Sequence, residues 1–272
     1  MTPVKKIIRQ FIALLLLLAL AASLCGCGKG EEIASFRSLE VLGEKQFCAI
    51  CRSGDKLAPM IDAALRTLAG TGRISAIVTR WLGSDRSCME SDAGALNALE
   101  ELPTERRLIF GVETDYEPIA FERGGTLQGL SVELAEALGE LIGWEIMVLP
   151  ISAEDVGAQL ASGNVDCALG FDPSIVSASK YSVGEAYLKS DIILAVRKDS
   201  EIRRVRDLDG CRIGIVHDPS VLTAVRSSEK LTKHAAGATE YLSIGRCITA
   251  LDNGWCAAVA MDILMLSYYR EA

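Results

Sequence analysis

From residue 36 onward the chain alternates short apolar runs with stretches of helical periodicity. Leu108-Ile109-Phe110-Gly111-Val112 predicts a strand buried on both faces. The polar loop Glu113-Thr114-Asp115-Tyr116-Glu117-Pro118 follows it, and Gly124-Gly125 makes a turn. Ser131 is then positioned to cap a helix with Val132, Ala135, Leu138, Leu141 and Ile142 along one stripe, and Gly143 ends it. Trp144 to Leu149 predicts a second strand. The result is a βαβ unit, and open α/β sheets bind ligands at the carboxyl ends of such strands.

Further strands are predicted at Ser38–Leu42, Gln46–Cys51, Val165–Gly170, Asp191–Val196, Arg212–Val216 and Ala257–Met261. Helices are predicted from Lys56 to Ala69, with Met60, Ala64, Leu65 and Leu68 on one stripe, from Ile74 to Leu82, and from Ile263 to Arg270. This alternation implies an α/β architecture.

At the N-terminus, Lys5, Lys6 and Arg9 precede a nearly unbroken apolar run from Phe11 to Leu24. That run is shorter than the about 20 residues of a membrane span and suits a signal-peptide core. Leu24-Cys25-Gly26-Cys27 resembles a bacterial lipobox in which Cys27, preceded by a small residue, takes the lipid. Residues 27–35 would then form a tether, and the protein would be extracytoplasmic and anchored to the cell membrane. Without residues 1–26 the formal charge falls from −8 to −11, and no basic cluster remains for nucleic acid. Hydrophobic residues make up 50% of the chain, enough for a substantial core. Cys167 and Cys256 lie in apolar runs and read as small buried hydrophobes, while Cys48-Ala49-Ile50-Cys51 has redox-type spacing but no helix start after it. With His217 and His234 alone, neither a Ser-His-Asp set nor a histidine metal cluster assembles, so no cofactor or metal is expected.

The stretch from Leu108 to Pro150 closely resembles the opening of the polar amino-acid type of extracellular solute-binding proteins (family 3), the receptors of ABC importers. Arg52-Ser53-Gly54-Asp55, the helix Leu57 to Leu68, and Arg80-Trp81-Leu82-Gly83 resemble that family's end, yet they stand first here. The two matching pieces are 36–83 and 107–272. The resemblance therefore implies a bilobal periplasmic-binding-protein-like (type II) fold, circularly permuted, with two mixed sheets flanked by helices. One lobe would take 52–83 and 107–190, the other 36–45 and 197–272. Hinge strands would run at 46–51 and 191–196, with a permutation linker at 84–106. Residues 36–45 are expected to pair with 212–216 and 256–260.

The resemblance also implies a cleft that captures an amino acid or a related small polar or amine solute, with an ABC permease as partner. Glu113 stands at the family's acid, Tyr116 at its stacking aromatic and Asp262 at its ammonium-binding Asp, although Asp262 could equally cap the next helix. Ser220 matches the Ser/Thr at a helix start, where capping is again an equal role. The family's Thr-x-Glu-Arg loop is replaced by Ser174-Ile175-Val176-Ser177, so the carboxylate-binding arginine is missing. Phe171 and Asp172 border this loop. Three carboxylates, Glu113, Asp172 and Asp262, without a nearby lysine or arginine predict a preference for a cation. A dehydratase-like enzyme on the same fold and a ligand-free signalling or adaptor lipoprotein are the alternatives.

Overall fold

The computed structural model describes residues 36–101, 103–114 and 116–266. The targeting segment, Cys27, Asp115 and residues 267–270 of the last predicted helix lie outside them. Strands β1 (Phe36–Arg52), β2 (Leu108–Glu113), β5 (Ile146–Ile151), β6 (Cys167–Phe171), β7 (Tyr181–Arg197), β8 (Arg212–Val216), β9 (Gly237–Tyr241) and β10 (Ala258–Asp262) form one sheet, in the order β5-β2-β6-β1-β7-β10-β8-β9. A hairpin of β3 (Phe121–Arg123) and β4 (Thr126–Gln128) stands apart. Helices α1 (Leu57–Gly70), α2 (Arg73–Leu82), α3 (Leu130–Ile142), α4 (Val156–Ser162), α5 (Pro219–Ser227), α6 (Glu229–His234) and α7 (Ile244–Asp252) connect the strands.

At each end of the sheet, three strands run parallel. β2 pairs with β5 and β6, and β8 pairs with β9 and β10. Between them lies an antiparallel ribbon of two 17-residue strands, β1 and β7, paired from Phe36↔Arg197 to Arg52↔Tyr181. This ribbon joins the two expected sheets into one. It also merges the strands predicted at 38–42 and 46–51, because β7 pairs straight across Gly43-Glu44-Lys45, with bulges absorbing the irregularity.

The pairing expected for residues 36–45 is corrected: they lie against Ser190–Arg197, and β10 occupies the other edge of β7. β7 pairs with β1 along one edge and with β10 along its other, so it stands between them. Residues 48–51 pair with β6, whereas 192–195 pair with β10, so the ribbon crosses from one half of the sheet to the other around residues 44–47 and 188–191.

The βαβ unit forms as predicted, with one correction at the helix start. Gly129, at φ 132°, precedes the first turn, and Ser131 is buried inside α3. A Cβ at residue 129 would lie 2.6 Å from the Ile119 carbonyl oxygen, so the chain enters the helix where only glycine fits.

Two cores flank the ribbon. Val156, Leu160, Val165, Ala168 and Phe171 pack with Ile50 on one side, and Ile192, Leu194, Val196, Ile213, Ile215, Val221 and Ala260 pack together on the other. Residues 84–101 do not hang free. Ser87 bridges Leu188, the Cys88 N–H donates to the Tyr187 carbonyl at 3.1 Å, and the Leu96 N–H donates to Thr67 Oγ1 at 3.0 Å. This covers an edge of β7 that would otherwise offer unpaired backbone groups.

Candidate functional site

The ends of β2 and β6 in one half face the start of α5 and the end of β10 in the other, across the middle of the ribbon. Side chains from all of these meet around Lys45. This lysine interrupts the apolar side of β1, and the pleat turns it inward, leaving it 2% exposed. Its ammonium lies 2.5 Å from Asp218 Oδ2. It also sits 4.2 Å from the ring centroid of Tyr116 and 5.3 Å from that of Phe47, a cation–π arrangement in a desolvated setting. Burial disfavours the charged lysine, but Asp218, Glu113 and Asp262 outweigh it and raise the ammonium's pKa.

Asp218 sits at the N-cap of α5. Its Oδ1 accepts from the Ser220 N–H at 2.8 Å and the Val221 N–H at 3.1 Å. Although burial works against it, Lys45 and these two amides hold its pKa below the usual carboxylate value. Asp262 is completely buried. It accepts from the Tyr116 hydroxyl, the Ser190 hydroxyl and, at 2.8 Å, the Leu264 N–H. Burial dominates there and raises its pKa despite Lys45 and those donors. Asp172, buried at the end of β6, accepts from the Gln46 N–H of the ribbon at 3.0 Å and the Ser174 N–H at 2.9 Å. Glu113 ends β2, and its carboxyl has no hydrogen-bond partner among the described residues. Burial, with Asp218 and Glu154 adding, pushes its pKa up to about 7 against the opposing Lys45 and His217.

A cavity of ≈ 10 Å³, room for about one water, lies among Glu113, Phe171, Asp172, Ser220, Lys45 and Asp218. Four of the residues named from sequence (Glu113, Phe171, Asp172 and Ser220) therefore line one cavity. Tyr116 and Asp262 adjoin it through Lys45. Ser174 is exposed and contributes only its backbone N–H to Asp172. Next to the lining residues Ala153 and Asp218 in sequence, Glu154 Oε1 and His217 Nε2 approach to 3.4 Å.

The expectation of a carboxylate cluster without a cation is overturned. Lys45, about 70 residues from the nearest of those carboxylates in sequence, supplies the positive charge, and Asp218 adds a further negative one. A lysine immediately before the predicted hinge strand 46–51 was the available signal. Its partner Asp218 precedes Pro219 at a helix start, a pattern that by itself signals a turn or a cap. Among the described residues no cluster of His, Cys, Asp and Glu could hold a metal ion, and no helix is long and apolar enough to cross a membrane.

Residues 108–258 match the family model of the bacterial extracellular solute-binding proteins, family 3. The arginine-binding extracellular protein ArtP of Bacillus subtilis (strain 168) is 28% identical over 130 residues, 47% of this chain and 49% of that protein. The L-cystine-binding protein TcyJ of Escherichia coli (strain K12) is 31% identical over 129 residues, 46% of this chain and 47% of that protein. The chain thus spans about half the length of these curated relatives. Among solved structures, a substrate-binding protein of an ABC uptake transporter from Streptococcus pneumoniae, with bound histidine, superposes with a TM-score of 0.53 at 22% identity, covering 61% of this chain and 69% of that one. The ancestral amino acid-binding protein AncCDT-1, a precursor of cyclohexadienyl dehydratase, gives 0.51 at 20% identity, covering 61% and 74%. Both likenesses bear on the fold alone.

Proposed function

The chain belongs to the bacterial extracellular solute-binding proteins, family 3, and from that premise we propose that it is a lipid-anchored receptor of an ABC importer, taking up an amino acid or a related small polar solute between the two halves of its sheet. The observation that carries this reading is the convergence of Glu113, Asp172, Ser220 and Asp218 on one cavity, from both ends of a ribbon able to act as a hinge. ArtP and TcyJ, named for binding arginine and L-cystine, support an amino-acid-like solute. Because Lys45 accompanies the carboxylates, the site has both charges to offer, and a preference for cations is no longer inferred.

The test is a thermal-shift screen over amino acids, amines, carboxylates and dipeptides. A ligand of the folded state at a hundred times its Kd stabilises by about 2.7 kcal/mol. At least one solute is expected to raise the midpoint and to lose that effect in Glu113→Gln. A flat screen, confirmed by calorimetry, would remove the receptor reading. For the anchor, Cys27→Ser is expected to release the protein from membranes while Cys25→Ser leaves it bound, and the reverse pattern would reassign the lipid.

The rotated chain order is part of the same reading: the family match is one continuous stretch, while residues 36–83, which resemble the family's end, stand before it. A second reading, a dehydratase-like enzyme, draws on Glu113, whose pKa of about 7 suits a general acid near neutrality. Turnover of prephenate or arogenate that is lost in Glu113→Gln would favour it, and no turnover would discard it.

A further inference from the structure

The Lys45 ammonium and the Asp218 carboxylate meet in the middle of the site, each on a surface suited to a ligand's charge. An ammonium is favoured by an aromatic face and a nearby buried carboxylate. Lys45 has both, over Tyr116 and beside the fully buried Asp262. A carboxylate is favoured by the free amides and dipole at a helix start. Asp218 has these from Ser220 and Val221, at the start of the nine-residue α5. A zwitterionic solute needs both surfaces together, and here the chain's own side chains cover both. The remaining ≈ 10 Å³ holds about one water, so any larger solute requires a lining side chain to move.

The pair is also built to be displaced. An ammonium has three donors, and Asp218 is the single hydrogen-bond acceptor of Lys45 among the described residues. The side chain comes from the stretch where the ribbon passes from one half of the sheet to the other, so a change in the angle between the halves carries it with the hinge. The Tyr116–Asp262 and His217–Glu154 contacts also link the two halves.

Resting on the reading of this cavity as the solute site, we propose that the Lys45–Asp218 pair is an internal surrogate for a zwitterionic solute, holding the cleft shut by itself, so that a solute bearing either charge binds by displacing it. Lys45 thereby sets a threshold: weakly charged or poorly fitting molecules fail to open the site.

The test uses the full chain with Lys45→Ala and n-propylammonium as the probe, a free molecule matching the amputated Cγ–Nζ portion of the side chain. Its melting midpoint is expected to rise with propylammonium concentration but not with n-propanol or propionate, while the parent is unaffected by all three. A folded Lys45→Ala that ignores propylammonium, or a parent that responds as strongly, would overturn the proposal. If Lys45→Ala does not fold, reductive methylation of the parent decides. Lys45 is expected to react at least tenfold more slowly than Lys56 and Lys230, whose side chains are 73% and 68% exposed, and to react faster in Asp218→Asn. Labelling of Lys45 at the rate of those two lysines would also overturn it, as would a parent–solute complex with the Lys45–Asp218 contact intact. Failure of the solute screen leaves the propylammonium result standing, and a solute that binds beside an undisturbed Lys45 leaves the receptor reading standing, so the two are separable.

Discussion

At the scale of single residues, Asp262 and Glu113 show how one site uses two carboxyls differently. Asp262 is enclosed by three donors, from Tyr116, Ser190 and Leu264, so it couples the loop after β2 to the ribbon and to the turn after β10. Asp262→Asn places an amide N–H₂ against one of these donors and removes charge from the remaining bonds. Chemical denaturation should show a loss of about 1.5–3 kcal/mol, the scale of one hydrogen bond to a charged group. A change within a few tenths would mean that the donors are satisfied elsewhere. Glu113 has no such donors, and its pKa is pushed from 4.5 up to about 7. The folded protein therefore keeps a proton that the unfolded chain has released. This contribution is fully present below pH 4.5 and is lost as the pH rises through 7, by at most about 3 kcal/mol at 1.36 kcal/mol per unit. Glu113→Gln should flatten the stability profile across that window and be more stable than the parent at pH 8. Asp218, held below its ordinary 3.8, acts with the opposite sign and outside this window. His217, raised by Glu240 first, loses its contribution above its ordinary 6.5, so Glu113→Gln should leave that part of the profile in place.

At the scale of elements, the segment between α2 and β2 packs against α1. A Cβ at Gly70 would lie 2.3 Å from the Ala93 backbone nitrogen, because this segment passes directly over the end of α1. Gly70→Ala should cost about 1–3 kcal/mol, the scale of overpacking, and should speed proteolysis within residues 84–101. A neutral effect on both would show that the crossing is loose. The segment's far end is held by Asp166, 5% exposed, which pairs with Arg106 at 2.8 Å and Arg52 at 3.3 Å and accepts from the Ile109 N–H at 2.9 Å. Arg52 also donates to the Leu160 and Val165 carbonyls, each at 3.1 Å, so the end of β1, the turn after α4 and the start of β2 share one cluster. Asp166→Ala removes the buried acceptor of the Ile109 N–H and of two part-exposed arginines, one of which keeps Asp55, and a loss of about 1–3 kcal/mol in urea denaturation is expected.

At the scale of the whole molecule, the proposed rotation of chain order has a direct test. A chain running from 84 to 272 and then from 36 to 83, with a short flexible joint, should fold to a monomer with the parent's circular dichroism and a cooperative melt. Permutation is tolerated when the old and new breaks fall in surface connections. Aggregation of the reordered chain, or a monomer without a cooperative melt, would argue that the present order is required and that the family likeness of 36–83 is superficial. The ribbon makes the favourable result plausible on physical grounds, since β1 and β7 pair over their whole length whichever of them is synthesised first.

Local pattern settled a great deal of this protein. The βαβ unit at Leu108–Ile151, the helices of Leu57–Gly70 and Arg73–Leu82, and the strands Arg212–Val216 and Ala258–Asp262 follow from apolar periodicity and glycine stops, which act within a few residues. The gathering of Glu113, Phe171, Asp172 and Ser220 was legible through the family resemblance, whose motif positions they occupy or border, and not through local pattern. What local pattern could not decide was long-range pairing. That β1 runs unbroken through Gly43-Glu44-Lys45 depends on β7 lying beside it, about 145 residues away in sequence, and the same pairing shifts residues 36–45 away from β8 and β10. Which way Lys45 points follows from that register, since a slip of one residue would send it to solvent. The net charge of the site was thus a tertiary decision: its carboxylates are readable in sequence, and the cation that answers them is delivered by a strand pairing.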